Sequence, residues 1–250
     1  MAAPFATQLL GWRKPRSGDR SVPNCADSDS AQSVALAERM LEALGIERDS
    51  DARPPSDPGP LMERLVRDDL ASALPSLDSR RHWQFERGGL ITKFAQYAHL
   101  RRVDELVRAN AELRITIGLD YLIKPDVTVG IVDLDILGSD PFLHAAISCK
   151  WTIRSDRVQN IRHECNQMVR HRRGRQPHLV TVTAEPLPSR LASIARGTGE
   201  VDAVYHIAFE ELNAAVGAVG NAEQHLAWEE CVGQRRLLPY ADLVKTLARW

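Results

Sequence analysis

The feature that most limits what this chain can fold into is a change of period along it. Three helical patterns come first: Ala31 to Leu44, about Leu61 to Leu74 with Met62, Leu65, Val66, Leu70 and Ala73 on one side, and about Leu90 to Asn110 with Phe94, Tyr97, Val103 and Leu106. Then come short β-branched runs bounded by turn signals: "PDVTVGIVDLDIL" (Pro125 to Leu137), "FLHAAISCKWTI" (Phe142 to Ile153), "HLVTVTA" (His178 to Ala184) and "VDAVYHIAF" (Val201 to Phe209). Helical patterns sit between and after them, over Asp156 to Arg173, Pro188 to Ala195 and Glu210 to Val219. Strands interleaved with helices predict an α/β architecture, a mixed central sheet of about five strands flanked by helices. Two Pro/Asp/Ser-rich stretches, Arg16 to Ser30 and Arg48 to Pro60, read as surface loops, so the expectation is one domain over residues 1–250. With 44% of its residues hydrophobic the chain has ample material for one core.

Composition narrows the function classes. No stretch approaches the ~20 apolar residues of a membrane span. The N-terminus lacks the basic, apolar and small-residue succession of a secretory leader, so a cytoplasmic protein without membrane association is expected. The four cysteines, Cys25, Cys149, Cys165 and Cys231, have neither zinc-site spacing nor disulfide-scaffold density and are expected as buried free thiols. A net charge of −1 argues against a general polyanion binder, yet seven arginines against two acids lie between Arg154 and Arg175. Such a local basic field is what grips a phosphate backbone, with Arg170, Arg172, Arg173 and Arg175 as candidate contacts. The same run could equally be a solvated helix end stopped by Gly174.

The chemistry concentrates on two strands and the helix that follows. Asp126 stands at the mouth of a buried strand, where a carboxylate has no packing reason to be. Alternation along "HAAISCKWT" puts His144, Ala146, Ser148, Lys150 and Thr152 on one face, so Lys150 shares its side with Ser148 and not with the apolar neighbours. Glu164 borders the apolar stripe of Ile161, Cys165, Met168 and Val169 and should look inward. Carboxylates converging on a lysine are what metal-dependent phosphodiester hydrolysis requires: hard oxygen donors for one or two Mg²⁺ ions, and a point cation that positions the attacking hydroxide and stabilises the pentavalent phosphate.

Immediately after the lysine strand comes "RSDR". Ser155 and Asp156 can cap a helix, which leaves the arginines unexplained. If this helix end enters a major groove, Arg154 and Arg157 can each make a bidentate contact to guanine, and Asp156 can accept from the amino groups of the paired cytosines. One subunit then reads a C-C/G-G half-site of double-stranded DNA, and a two-fold dimer reads CCGG.

"PD" followed by x-x-Lys resembles the PD-(D/E)xK nuclease superfamily, with Ser148 where the acid of the triplet normally stands. The chain closely resembles the NgoMIV-like group of type II restriction endonucleases, which cut sites containing CCGG. There the missing acid comes from the following helix, the position of Glu164 in "RSDRVQNIRHE". Shared strings include "QYAHL", "HAAISCKWTIRSDR" and "VTAEPLPSR".

The resemblance implies a restriction-endonuclease-like fold and Mg²⁺-dependent double-strand cleavage at GCCGGC leaving 5′-phosphates. It also implies a homodimer, with a tetramer as the next larger assembly, and a cognate DNA methyltransferase. It brings in Glu63 of "GPLMERL" as a further active-site acid, groups Cys149 with Asp126 and Glu164 at the cation, and assigns Asp27, Asp29 and Arg190 to the outer base pair. The loop around Ser56 departs from the family pattern, and the segment between Asp126 and Lys150 is shorter than in the relative. Two other readings compete: a repair or junction-resolving nuclease, which needs no paired base-reading residues, and a DNA-binding module with an inactive core.

Overall fold

The computed structural model describes residues 1–14, 21–48, 54–136, 138–153, 155–197 and 199–249, with only the helical backbone for residues 155–157. A short α1 (Ala6–Leu9) and a two-stranded ribbon, β1 (Trp12–Arg13) with β2 (Val22–Pro23), precede α2 (Ala31–Ala43) and α3 (Pro58–Leu77). Next come β3 (His82–Arg87), two 3-10 turns (Ile91–Lys93 and Ala95–Tyr97), α4 (His99–Ala109) and α5 (Ala111–Ile117). The core of the fold is β4 (Val127–Val132), β5 (Phe142–Lys150), α6 (Ser155–His171), β6 (His178–Thr183), α7 (Pro188–Ala195) and β7 (Ala203–His206). The chain closes with α8 (Phe209–Val219), α9 (Ala222–Gly233), β8 (Leu237–Pro239) and α10 (Ala241–Arg249).

The central sheet has six strands in the order β3-β4-β5-β6-β7-β8. It is antiparallel from β3 to β5 and parallel from β5 to β8. This is the mixed, helix-flanked sheet expected from the period change, with one strand more than anticipated. Strands β5, β6 and β7 are buried along nearly their whole length, as parallel strands covered on both faces are. The two strands that no sequence run announced, β3 and β8, lie at the two edges. The helical pattern expected over Leu90 to Asn110 resolves into the two 3-10 turns and α4, because Phe94 is extended and the Ala95 N–H is drawn to the Pro141 carbonyl of the β4–β5 connection instead of a helical ladder. Phe94 and Tyr97 of that pattern are buried, whereas Leu106 is exposed.

Two helices matter for the site. α3 starts with Pro58 in its first turn, where a missing N–H costs nothing, and buries Met62, Val66, Leu70 and Leu74, one residue per turn, across β3, β4 and β5. α6 leaves β5 after a short turn and buries Ile161, Cys165 and Met168. Beyond its end Gly174 adopts φ +95°, a left-handed conformation that favours glycine.

The register of β4 on β5 steps by one between Val129 and Gly130: Val129 pairs with Ala145, but Gly130 pairs with Leu143, so His144 is the extra residue. Gln96 fixes this point. Its Nε2 donates to the Leu143 carbonyl at 2.8 Å and its Oε1 accepts from the Leu143 N–H at 2.8 Å, all of it buried. The His144 ring in turn meets the Leu247 carbonyl of α10 at 2.8 Å. Gln96→Ala strips two buried backbone groups of their partners, and at about 1 to 3 kcal/mol each it should destabilise the fold by about 2 to 6 kcal/mol. The urea midpoint measures this; a midpoint within experimental error of the parent would show that the clamp is dispensable.

Candidate active site

Asp126 and Lys150 meet. Asp126 immediately precedes β4, and Val127 pairs with Ile147, which directs the Asp126 side chain toward the end of β5. Its Oδ2 accepts from the Cys149 N–H at 2.8 Å and from Lys150 Nζ at 2.7 Å. Antiparallel pairing therefore delivers the first acid and the lysine to one sheet edge, as the sequence pattern predicts.

Lys150, with Asp126 bonded to it, opens onto a cleft of about 430 Å³ lined by the start of α3, the end of β5 and one side of α6. Glu63, Lys150, Asn160 and Glu164 are among its walls. Glu164 sits one residue before the buried Cys165, so its carboxylate enters the cleft from the margin of the α6 stripe. Burial raises its carboxyl above the ordinary range, the Lys150 ammonium pulls it back, and the Asp126 charge adds to the rise. Glu63 also faces the cleft, with its Oε2 3.0 Å from Arg87 Nη2. Arg87 closes β3 opposite Val127 and was not anticipated from sequence, since nothing in its neighbourhood marks it out before the β3–β4 pairing is known. Ser148 is buried in β5 beside Thr181 of β6.

Of the residues expected to read bases, Arg154 lies outside the described residues, and Asp156 and Arg157 are on the first turn of α6. Thr152 and Asn160, which both line the cleft, bracket that turn. Arg190 of α7 and Asp27 of the N-terminal segment form an ion pair, and Arg190 Nη1 lies 3.8 Å from Glu185 Oε2. Asp29 is exposed, and its N–H donates to Asp27 Oδ1 at 3.2 Å. Ser56 is exposed in the turn that leads into α3. The N-terminal segment is tied to the site by Trp151, whose indole N–H donates to the Asn24 carbonyl at 3.2 Å.

The basic run is not brought to the cleft. α6 has 17 residues, so Arg170, Arg172, Arg173 and Arg175 stand about 25 Å from its start. There Arg172 donates to the Val169 carbonyl and the Arg173 N–H donates to the Gln96 carbonyl at 2.9 Å. These contacts finish the helix.

Comparison with known proteins bears on the whole chain. A family model described as NgoMIV restriction enzyme matches residues 14–137 and 136–248, the two stretches meeting in the β4–β5 connection. The type II restriction enzyme NgoMIV of Neisseria gonorrhoeae is 35% identical over 274 aligned positions, which cover 98% of this chain and 96% of that enzyme.

The donor set suits one kind of cation. Asp126 and Glu164 offer hard carboxylate oxygens, and Asp126 Oδ1 is left over from the contacts that hold Oδ2. Among the described residues no three His, Cys, Asp or Glu side chains converge on one point. Hard carboxylate oxygens match Mg²⁺, which keeps several waters and takes few protein ligands. Cys149 can contribute only through its peptide oxygen. Burial, with the charges of Asp126 and Glu63, pushes its thiol well above the ordinary range, so the sulfur stays protonated. Cys165 is likewise pushed up to about 12 by burial. All four cysteines are free and buried, as expected. A thiol reagent at about pH 8 should therefore label none of them until denaturant is added; rapid labelling of Cys149 in the native protein would reopen the question of a thiolate ligand.

Proposed function

We propose, on the premise that this chain belongs to the NgoMIV restriction enzyme family and is a type II site-specific deoxyribonuclease, that it hydrolyses both strands of DNA at GCCGGC in a Mg²⁺-dependent reaction. In this reading it leaves 5′-phosphates and acts as a homodimer on the palindrome. The observation that carries the catalytic half is the contact of Asp126 with Lys150, a lysine that shares one cleft with Glu164. Mg²⁺ held by Asp126, Glu164 and the Cys149 peptide oxygen would supply Lewis acidity toward the scissile phosphate and toward a water. The chain's own groups do the rest. Lys150, steadied by Asp126 Oδ2, presents a fixed ammonium to the attacking hydroxide and the phosphate oxygens. The Cys149 N–H keeps Asp126 oriented, so lysine and carboxylate keep their spacing when DNA arrives. Glu63, turned toward the cleft and paired with Arg87, is a further acid near the reacting phosphate.

The specificity half rests on neighbourhood. The start of α6 follows Lys150 by a few residues, so Arg154, Asp156 and Arg157 read bases beside the scissile bond, guanine by the arginines and cytosine by the aspartate. The Asp27 and Arg190 pair offers the acceptor and donors that an outer G·C pair would need, with Asp29 supporting Asp27. The arginines at the far end of α6 contribute no base contact in this scheme, and any phosphate they meet is about one helix length from the cut. No helix among the described residues is long and apolar enough to cross a membrane.

Lys150→Ala should abolish cutting in Mg²⁺ and leave site-specific binding in Ca²⁺ intact by gel shift. Asp126→Asn and Glu164→Gln should each slow cleavage about 10²-fold or more. A Glu164→Gln variant that cuts at the parent rate would move the second acid elsewhere, Glu63 first. The sequence preference is tested by mapping cut ends on a fully sequenced phage genome. Each bidentate contact supplies about 1 to 3 kcal/mol of discrimination, so any change within CCGG should nearly stop cleavage. Ends lacking CCGG would refute the role of the arginines, and CCGG with other flanks would refute only the outer pair. Random nicking would favour a repair-type nuclease, and intact DNA in every divalent cation a binding module.

A further inference from the structure

Glu185 is a carboxylate with 0% of its surface exposed, in the turn between β6 and α7. A buried carboxylate is costly unless hydrogen-bonded, and this one accepts from two backbone groups far apart in sequence. Oε2 takes the Ile153 N–H at 2.8 Å and Oε1 takes the Leu187 N–H at 3.1 Å. Ile153 is the residue before Arg154, at the entry to α6. Leu187 is the residue before α7, three ahead of Arg190. Arg190 stands between the Glu185 and Asp27 carboxylates.

Glu185 is itself held from behind. Its N–H donates to Thr183 Oγ1 at 3.1 Å, and its carbonyl lies 3.2 Å from His206 Nε2. The Ala208 N–H donates to His206 Nδ1 at 3.1 Å, so the imidazole carries its proton on Nε2 and donates it to Glu185. One rigidly seated carboxylate thus joins the turn that opens α6, the start of α7 and, through Arg190, the N-terminal segment.

We infer that Glu185 is a positioning residue for sequence discrimination, a buried clamp that fixes Ile153, at the entry to α6, relative to the proposed outer base-reading pair Arg190 and Asp27. The inference rests on the base-reading assignment proposed above. Bidentate base contacts tolerate only small displacements, and a shared point acceptor transmits one geometry to both segments where an apolar contact would let them slide. Neither α6 nor α7 needs a common acceptor to form, since each could cap its N–H groups locally. The sharing is what demands a role.

The test compares cleavage rates at GCCGGC with rates at sites changed in one inner or one outer base pair. Glu185→Gln keeps the shape of the side chain but replaces one acceptor oxygen by an amide NH₂ that faces a backbone N–H. It should lower discrimination about tenfold or more at inner and outer positions together. A role confined to stability would reduce the active fraction equally at every site and leave the ratios unchanged. Arg157→Ala and Arg190→Ala run alongside. If neither lowers discrimination, the base-reading assignment fails; if they do and Glu185→Gln keeps the parent ratios, the clamp alone is overturned.

Should the Gln variant not fold, the parent protein carries the test through pH. Burial pushes the Glu185 carboxyl up to about 7, the Ile153 and Leu187 N–H groups and Arg190 oppose the rise, and Asp27 adds to it. The other titratable groups around it stay neutral in this range: burial lifts the Cys25 thiol far above it and lowers His206 to about 4. The clamp is therefore charged above about pH 7 and protonated below it, and discrimination should fall as pH drops from about 8.5 to about 6. Rates at all sites share the pH dependence of the chemical step, so the ratio isolates the clamp. Ratios constant across that range would overturn it.

Discussion

The contact on which the rest depends is the one between the Asp126 carboxylate and the end of β5, where a single oxygen holds both the Cys149 N–H and the Lys150 ammonium. It exists only in one register. A slip of one residue between β4 and β5 would turn Lys150 to the other face of the sheet, and a slip of two would move it by nearly 7 Å. The fold guards that register well away from the site. At the opposite end of the pair Gln96 grips both backbone groups of Leu143, and the displaced His144 is tied to α10 through the Leu247 carbonyl. A 3-10 turn and the C-terminal helix, neither of which touches the cleft, thereby decide where the lysine stands.

Around Lys150 two acids are held in ion pairs, and Glu164 is in none among the described residues. Asp126 has Lys150 at 2.7 Å and Glu63 has Arg87 at 3.0 Å. Glu164 shares the field of the same lysine but is half-buried, and burial together with Asp126 outweighs Lys150 in raising its carboxyl. The net field at that point favours an added positive charge. Polyanionic DNA raises the demand further, because a phosphate placed beside two carboxylates is repelled until a cation intervenes.

How much of this could be read from sequence follows the range of the interactions involved. β4 to β7 were legible because both faces of those strands are buried and the β-branched runs record it. β3 was missed because "HWQFER" is an edge strand with polar and aromatic residues alternating in partial exposure, and β8 because three residues ending in Pro239 carry no period at all. The single helix expected over Leu90 to Asn110 failed at Phe94, whose backbone is extended, and at Ala95, whose N–H is taken by the Pro141 carbonyl far along the chain. The meeting of Asp126 with Lys150 and the place of Glu164 at the margin of its helix stripe were legible from local pattern, since strand alternation and a helix stripe are short-range facts. The basic run was seen as a charge density, but its destination depends on the length of α6 and on the Arg173 to Gln96 hydrogen bond. Glu185 sat unremarked inside "VTAEPLPSR" because nothing in a sequence distinguishes a buried glutamate from a solvated one.

On the proposed reading, the Arg190 and Asp27 pair has a consequence for how specificity arises. Without DNA the two groups satisfy each other, so a correct G·C pair exchanges one set of charge-assisted hydrogen bonds for another, with little net gain. A wrong base pair separates them and returns too few partners, leaving desolvated charge behind, and unpaired buried polar groups cost more than matched ones contribute. Discrimination would then come mainly from penalties at incorrect sites and only in small part from affinity at correct ones. Penalties of that kind need walls that do not relax. A flexible loop carrying Arg190 would swing to find water or phosphate and escape the cost. With Leu187 held by the same buried carboxylate that holds Ile153, α7 has little freedom to do so, and the rigidity of the Glu185 turn becomes the physical source of the penalty.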